Sequence, residues 1–255
     1  MDLFVHRKNL VRPKNVNAEE TPKYVLSKEQ LDYYDKNGFL VIKGLISFEC
    51  LYTVKKRFLQ IVNGLEDVGF MTIIKEPGLA EKGAKGQDVI NKINDIHFDE
   101  EFSSYSEDPR LLDVVSQLIG ESITVVHCMF INKPAGTLRH PPHQDSNKFL
   151  FYGVSEEAAA ERSRVALPME PGDTVFFHPL LIHGSGPNVS KSSRKAITCH
   201  YASGECRYVS VEGTDQETVA KEVETAAKKK KNLDISFKDS WHYKNKLVRG
   251  TKSNL

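Results

Sequence analysis

The sequence predicts an α+β protein, mainly β, in which a layer of helices lies against a sheet. Two capped helices flank a short strand in the first quarter of the chain. A β-branched run occupies Ile123 to Ile131, and apolar pieces broken by Pro and Gly follow from Val165 to Val211. The 255 residues suffice for one core that buries roughly three quarters of the unfolded surface. Lys+Arg 35 against Asp+Glu 34 gives a formal net charge of +1, and no arginine-rich face is present, which argues against a nucleic-acid or polyanion binder. Cys50, Cys128, Cys199 and Cys206 form no Cys-x-x-Cys pair and read as apolar residues of a reducing compartment. No apolar run reaches the roughly 18 residues of a membrane span, so the chain is expected to be soluble and intracellular.

Residues 1–26 form a polar arm with Pro13 and Pro22, and residues 27–255 are expected to be a single domain. Ser27 with Gln30 makes a capping box, Leu31 and Tyr34 give the helix an apolar edge, and Gly38 stops it. Phe39 to Ile42 is a strand. A second helix starts at the cap Ser47, carries Val54, Phe58 and Ile61 on one side, and stops at Gly64. Glu76 to Gln87 reads as a loop. Asp108-Pro109 opens a third helix that Gly120 ends, because proline is tolerated where the amide has no partner anyway.

The confident strand Ile123 to Ile131 turns at Lys133-Pro134-Ala135-Gly136. Beyond Asp145 come the aromatic run Phe149 to Tyr152 and a charged, alanine-rich piece from Ser155 to Arg164. Val165 to Met169 reads as an edge strand, since Pro168 removes a ladder donor. Thr174 to Phe177, Leu180 to Ile182, Arg194 to Tyr201 and Tyr208 to Val211 complete the expected strands. Thr214 to Lys230 is expected to be a helix, and Trp241 to pack down the C-terminal tail.

The chemistry is concentrated in Arg139-His140-Pro141-Pro142-His143-Gln144-Asp145. In an extended segment His143 and Asp145 share a face, because side chains alternate with period 2. A lone His-x-Asp arises often by chance; His183, after the apolar Leu180-Leu181-Ile182 and before Gly184-Ser185-Gly186, supplies a second imidazole. Two neutral imidazoles and a carboxylate fill one face of an octahedron and leave three positions open, as a non-haem Fe(II) site for oxygen chemistry requires. Of the other histidines, His6 and His242 lie in polar end segments, and His97, His127 and His200 read as ordinary hydrogen-bonded residues. Arg194 follows His183 by eleven residues. If its strand lies antiparallel beside that of His183, its guanidinium sits deep near the metal. There it could grip the far carboxylate of a dicarboxylate such as 2-oxoglutarate.

Three stretches, His143-Gln144-Asp145, Gly172 to Gly186 and Arg194-Lys195-Ala196-Ile197, closely resemble the phytanoyl-CoA dioxygenase family of Fe(II)/2-oxoglutarate oxygenases. The likeness extends to Asn37 to Ile42, to Ile131-Asn132-Lys133-Pro134, and to Ser203 to Leu255. It implies a double-stranded β-helix (a cupin-like jelly roll) with flanking helices. It implies Fe(II) held by His143, Asp145 and His183, and 2-oxoglutarate held at its 5-carboxylate by Arg194 and Ser185. Lys92, Met129 and Gln144 also match family positions lining the cosubstrate pocket. The implied reaction uses O2, with ascorbate as an accessory reductant, to hydroxylate the 2-position of a branched-chain acyl-CoA such as phytanoyl-CoA in fatty-acid α-oxidation. A near alternative is another small lipid as substrate.

The resemblance also implies a peroxisomal location; Ser253-Asn254-Leu255 differs from a Ser-Lys-Leu ending at its middle residue, and a cytoplasmic location is the alternative. No feature sets the oligomeric state. Only 37 residues separate Asp145 from His183, against a much longer family interval. At about 5–6 residues per strand and 4–6 per connection, the interval holds about three strands. Some central strands are therefore expected to be missing, which would expose strand edges and remove a wall of the pocket. A shortened, catalytically impaired variant acting as a non-catalytic or interaction protein is the alternative from a different class.

Overall fold

A computed structural model describes residues 24–145, 151–153, 164–214 and 217–251. The N-terminal part runs α1 (Lys28–Asn37), β1 (Phe39–Ile42), α2 (Phe48–Val62), β2 (Thr72–Lys75), α3 (Pro77–Ala80), β3 (Ile90–Asn94), α4 (Glu100–Ser106) and α5 (Pro109–Ile119). The β-rich part follows with β4 (Ile123–Lys133), β5 (His140–Asp145), β6 (Phe151–Gly153), β7 (Thr174–Phe177), β8 (His183–Ser185) and β9 (Arg194–Ser203). It closes with α6 (Glu217–Lys231), α7 (Phe237–Lys244) and β10 (Lys246–Arg249). Mixed helices with antiparallel sheets make this the expected α+β jelly roll.

Local signals place the helices. Ser27 accepts from the Gln30 amide while the Gln30 side chain accepts from the Ser27 amide, and Gly38 closes α1 at φ 77°. Ser47 caps α2, and the Asp108 carboxylate takes the first amides of α5 ahead of Pro109. The buried side of α2, Val54, Phe58 and Ile61, joins Ile93, Phe102, Val125 and Phe130 in one apolar cluster. Phe58 stacks on Phe130 with centroids 4.5 Å apart, which fixes the helical layer to β4. Tyr34, Leu40, Leu111, Val115 and Phe176 form a second cluster between α1, β1, α5 and β7.

Three antiparallel sheets result. The largest has the order β10-β4-β3-β2, with β9 on β4; the others are β6-β5-β8 and β1-β7. Along β4 and β9 the register pairs His127 with His200, Met129 with Thr198, Ile131 with Ala196 and Lys133 with Arg194. Alternation puts these pairs on one face and Cys128 and Phe130, which meet α2, on the other.

Several expected elements differ. Glu76 to Gln87 contains α3 and, at Gly86–Asp88, a 3-10 turn. Val165 to Met169, Leu180 to Ile182 and Tyr208 to Val211 are apolar but join no ladder; the third strand piece there begins at His183. The expected helix from Thr214 starts at Glu217, with 215–216 outside the described residues. Trp241 meets Phe237 edge-on at 5.6 Å, beside Val211 and Ala220, so the C-terminal part is packed down as expected. The run 155–163, with Phe149 and Leu150, lies outside the described residues. Among those described, β7 pairs only with β1, and β9 only with β4.

The turn Pro171-Gly172-Asp173 delivers β7 to β1. Gly172 has φ 94°, and a Cβ there would stand 2.7 Å from the Ile46 carbonyl oxygen, so only glycine fits. Asp173 accepts from Lys43 Nζ at 2.7 Å and from the amides of Glu170 and Gly44 at 2.8 and 3.0 Å. Led by the Lys43 bond, these hold its carboxyl at about 2, below the usual 3.8. A depressed folded value gives stability that is complete above the unfolded value and lost as pH falls from about 4 towards 2. Asp173→Asn should flatten the acid limb of a Tm-versus-pH curve over that window. An unchanged slope would show that Asp173 contributes nothing there.

Candidate metal centre

β5 and β8 are neighbours, and their register sets His143 opposite His183. Period 2 then carries Asp145 to the same face. The ligand atoms of His143, Asp145 and His183 lie within 4.8 Å of one another. His143 Nε2 is 3.6 Å from Asp145 Oδ1, and His183 Nε2 is 3.6 Å from Asp145 Oδ2. Those separations are too long for hydrogen bonds.

The tautomers make the arrangement more telling. His143 Nδ1 donates to the Pro141 carbonyl at 2.9 Å, and His183 Nδ1 to the Leu181 carbonyl at 3.0 Å. A carbonyl can only accept, so each ring carries its proton on Nδ1 and turns an Nε2 lone pair towards the carboxylate. Burial, the largest influence, also pushes the His143 pKa down, keeping that ring neutral. Three acceptors facing one another are mutually repulsive without a cation between them, and imidazoles oriented through their second nitrogen are a usual outer-shell device of metal sites. The residues fit a divalent metal with open positions, and iron suits the donor set.

His200 was missed. Its Nε2 is 3.9 Å from Asp145 Oδ2, and its ring packs on His127 with centroids 5.6 Å apart. Burial pushes its pKa down to about 4, which keeps it neutral. The signal was present: His200 lies six residues after Arg194, so period 2 along β9 puts both on one face. His127, read as an ordinary residue, sits 3.5 Å from Asp95.

A cleft adjoins the triad, lined on that face by Asp145, Ser185 and Arg194, by Thr198 and His200 of β9, and by Phe177 of β7, whose ring packs on His183. Its walls include β7 and β9, each of which has one ladder partner among the described residues. Arg194 departs from expectation: its strand pairs with β4 rather than β8, and the residue is exposed at the end of β9 instead of deep within the barrel. Its Nη2 reaches the Gly186 carbonyl at 3.5 Å. Met129 is buried on the same face of β4. Lys92 stands opposite Ile131 on β3, with its pKa lowered by burial. Gln144 turns away from the triad by alternation and donates to the Leu180 carbonyl, tying β5 to the turn before His183.

A sequence model of the family described as phytanoyl-CoA dioxygenase (PhyH) matches residues 34–157 and 149–196. The chain is 34% identical to the peroxisomal phytanoyl-CoA dioxygenase of Rattus norvegicus over 288 positions, covering 91% of this chain and 85% of the relative. The chain belongs to the phytanoyl-CoA dioxygenase family. A probable phytanoyl-CoA dioxygenase of Caenorhabditis elegans is also 34% identical, over 91% of this chain and 96% of that one. The crystal structure of EctD from S. alaskensis in its apoform has a TM-score of 0.62 at 20% identity, covering 82% of this chain and 90% of that one. The EctD structure with 2-oxoglutarate and 5-hydroxyectoine gives 0.59 at 21% identity, over 72% of this chain and 79% of that one. At these identities the structures establish a shared oxygenase fold.

The family model matches in two overlapping pieces, the second beginning at residue 149, between Asp145 and His183. Since 91% of 255 residues is about 232, about 56 of the 288 positions aligned with the rat protein have no counterpart here. The family fold is thus present with fewer positions than its relatives have, and among the described residues β7 and β9 each have one ladder partner.

Proposed function

We propose that this protein is an Fe(II)/2-oxoglutarate-dependent dioxygenase that hydroxylates the 2-position of a branched-chain acyl-CoA such as phytanoyl-CoA. The observation carrying the proposal is the convergence of two Nε2 lone pairs and one carboxylate with no hydrogen bond among them. When bound, iron and 2-oxoglutarate supply the oxidising power, O2 being consumed as the cosubstrate is converted to succinate and CO2.

The chain's own residues would do the rest. His143 and His183 present their Nε2 atoms because the Pro141 and Leu181 carbonyls hold the opposite nitrogens. Asp145 supplies the negative charge that a divalent ion needs. Arg194, with Ser185 two residues after His183 on β8, holds the 5-carboxylate of 2-oxoglutarate. Met129 lies on the same face of β4 as the cation end, and Lys92 contributes positive charge from β3. Phe177 of β7, packed on the His183 ring, offers apolar surface beside the site and helps keep water from the reacting carbon. The peroxisomal relatives favour the same compartment here. Among the described residues no helix is long and apolar enough to cross a membrane.

Turnover of phytanoyl-CoA with Fe(II), 2-oxoglutarate, O2 and ascorbate tests this. The expected result is 2-hydroxyphytanoyl-CoA with an equal amount of succinate. Succinate formed at a rate independent of acyl-CoA would point to another substrate. No succinate, despite bound metal, would favour the second reading, a non-catalytic variant, supported by the missing aligned positions and by the single ladder partner that β7 and β9 each have among the described residues.

A further inference from the structure

We infer that Lys133 is a second cation of the cosubstrate site, sharing the distal carboxylate of 2-oxoglutarate with Arg194 and setting the preference for a dicarboxylate over a monocarboxylate 2-oxo acid. This rests on the reading of Arg194 given above.

Lys133 is the last residue of β4 and is only 6% exposed. Its partner across the ladder is Arg194, so the two side chains leave one face of the sheet from directly opposed positions. Like charges placed so are unfavourable, more so where one is buried. Burial first and Arg194 second pull the Lys133 pKa below its ordinary value, against a weaker upward pull from Glu76. Among the described residues no carboxylate pairs with it.

The acceptors it has are neutral. Lys133 Nζ donates to Ser185 Oγ at 3.2 Å and to the Gly186 carbonyl at 2.7 Å. Arg194 Nη2 points at that same carbonyl from 3.5 Å. An ammonium has three N–H groups, so one is left over. Lys133, Ser185 and Arg194 line the cleft together with the metal-facing Asp145. A carboxylate entering there would accept from Ser185, Lys133 and Arg194 together and relieve the repulsion between the two cations. The competing role is mechanical: Lys133 would only tie the end of β8 to the end of β4.

Two ligands separate the roles: 2-oxoglutarate, and 2-oxopentanoate, which has the same five-carbon 2-oxo acid skeleton without the distal carboxylate. Binding of each to the Fe(II)-loaded protein is measured anaerobically by calorimetry, for the parent and for Lys133→Met, Lys133→Arg and Arg194→Met. Lys133→Met should raise the Kd for 2-oxoglutarate about ten-fold or more and leave that for 2-oxopentanoate within about two-fold, while Lys133→Arg restores most of the loss. Equal weakening of both ligands, or no change in either, overturns the inference. If Arg194→Met abolishes discrimination and Lys133→Met does not, only the role of Lys133 falls; if neither does, the reading of Arg194 falls with it. Should Lys133→Met fail to fold, Lys133→Gln, which keeps a donor for Gly186 without the charge, carries the same comparison.

Discussion

Replacing Asp145 with alanine is expected to abolish turnover and metal binding while leaving the apoprotein as stable as the parent. Asp145 is 11% exposed at its side chain, and its nearest partners stand at 3.6, 3.6 and 3.9 Å, beyond hydrogen-bond distance. A carboxylate so placed gains little until a cation arrives, so its removal costs the metal-free fold little. With metal the result inverts, because two neutral imidazoles alone offer no charge to a divalent ion. Loss of outer-shell partners alone typically costs about 10–100-fold in metal affinity, and loss of a charged ligand should cost at least that. Thermal melting with and without Fe(II) reads both effects. The parent should gain stability with metal, by mass action on the folded state, and Asp145→Ala should not. A metal-dependent gain that persists in the variant would remove Asp145 from the ligand set.

The second large effect is structural. Phe58 has no exposed surface, belongs to the cluster joining α2 to β3 and β4, and stacks on Phe130. Phe58→Ala deletes a ring between the helical layer and the strand that leads to Lys133 and the metal-carrying β5. Truncations of this kind cost about 3–5 kcal/mol. For a chain of this size that corresponds to a fall in Tm of about 10 °C, measured by calorimetry or circular dichroism. A shift of a degree or two would mean that the neighbouring Phe102 and Ile61 collapse into the space, and that α2 is held by other contacts.

What could be read beforehand follows the range of each interaction. Ser27 with Gln30, Ser47, and Asp108 with Pro109 are signals confined to one helical turn, and all three mark helix starts. The His143, Asp145 and His183 grouping was legible because residue type and period 2 limit which side chains can share a face. β2, β3 and β10 were not foreseen, since runs of four or five residues become strands only through partners distant in sequence: β10 joins β4 across more than a hundred residues. The same reason misplaced Val165 to Met169 and Leu180 to Ile182, whose apolar composition has no ladder to join. The sequence shows Arg194 at the head of its strand but not that strand's neighbour, because pairing of β9 with β4 is set by a long-range register. That register also brings His200 beside Asp145 and Lys133 opposite Arg194. Along β9 the spacing places His200 on the face of Arg194, but nothing local shows that Asp145 or Lys133 would meet that face.

The short interval between Asp145 and His183 bears on the cleft more than on the ligands. The ligands lie on β5 and β8, which pair directly with each other, so the triad does not depend on the interval between Asp145 and His183 for its register. The cleft wall between β7 and β9 does. An intact triad should therefore keep metal and cosubstrate binding, with the acyl-CoA side bearing the consequence.

Anaerobic titration of the protein with Fe(II) and 2-oxoglutarate tests the central claim most directly. If His143, Asp145 and His183 hold the metal and the Arg194 side holds the cosubstrate, the chelate's visible charge-transfer band grows with saturating, stoichiometric dependence on both components. If no band develops while a longer relative gives one under the same conditions, the triad does not form an oxygenase site in this chain, and the catalytic account is wrong.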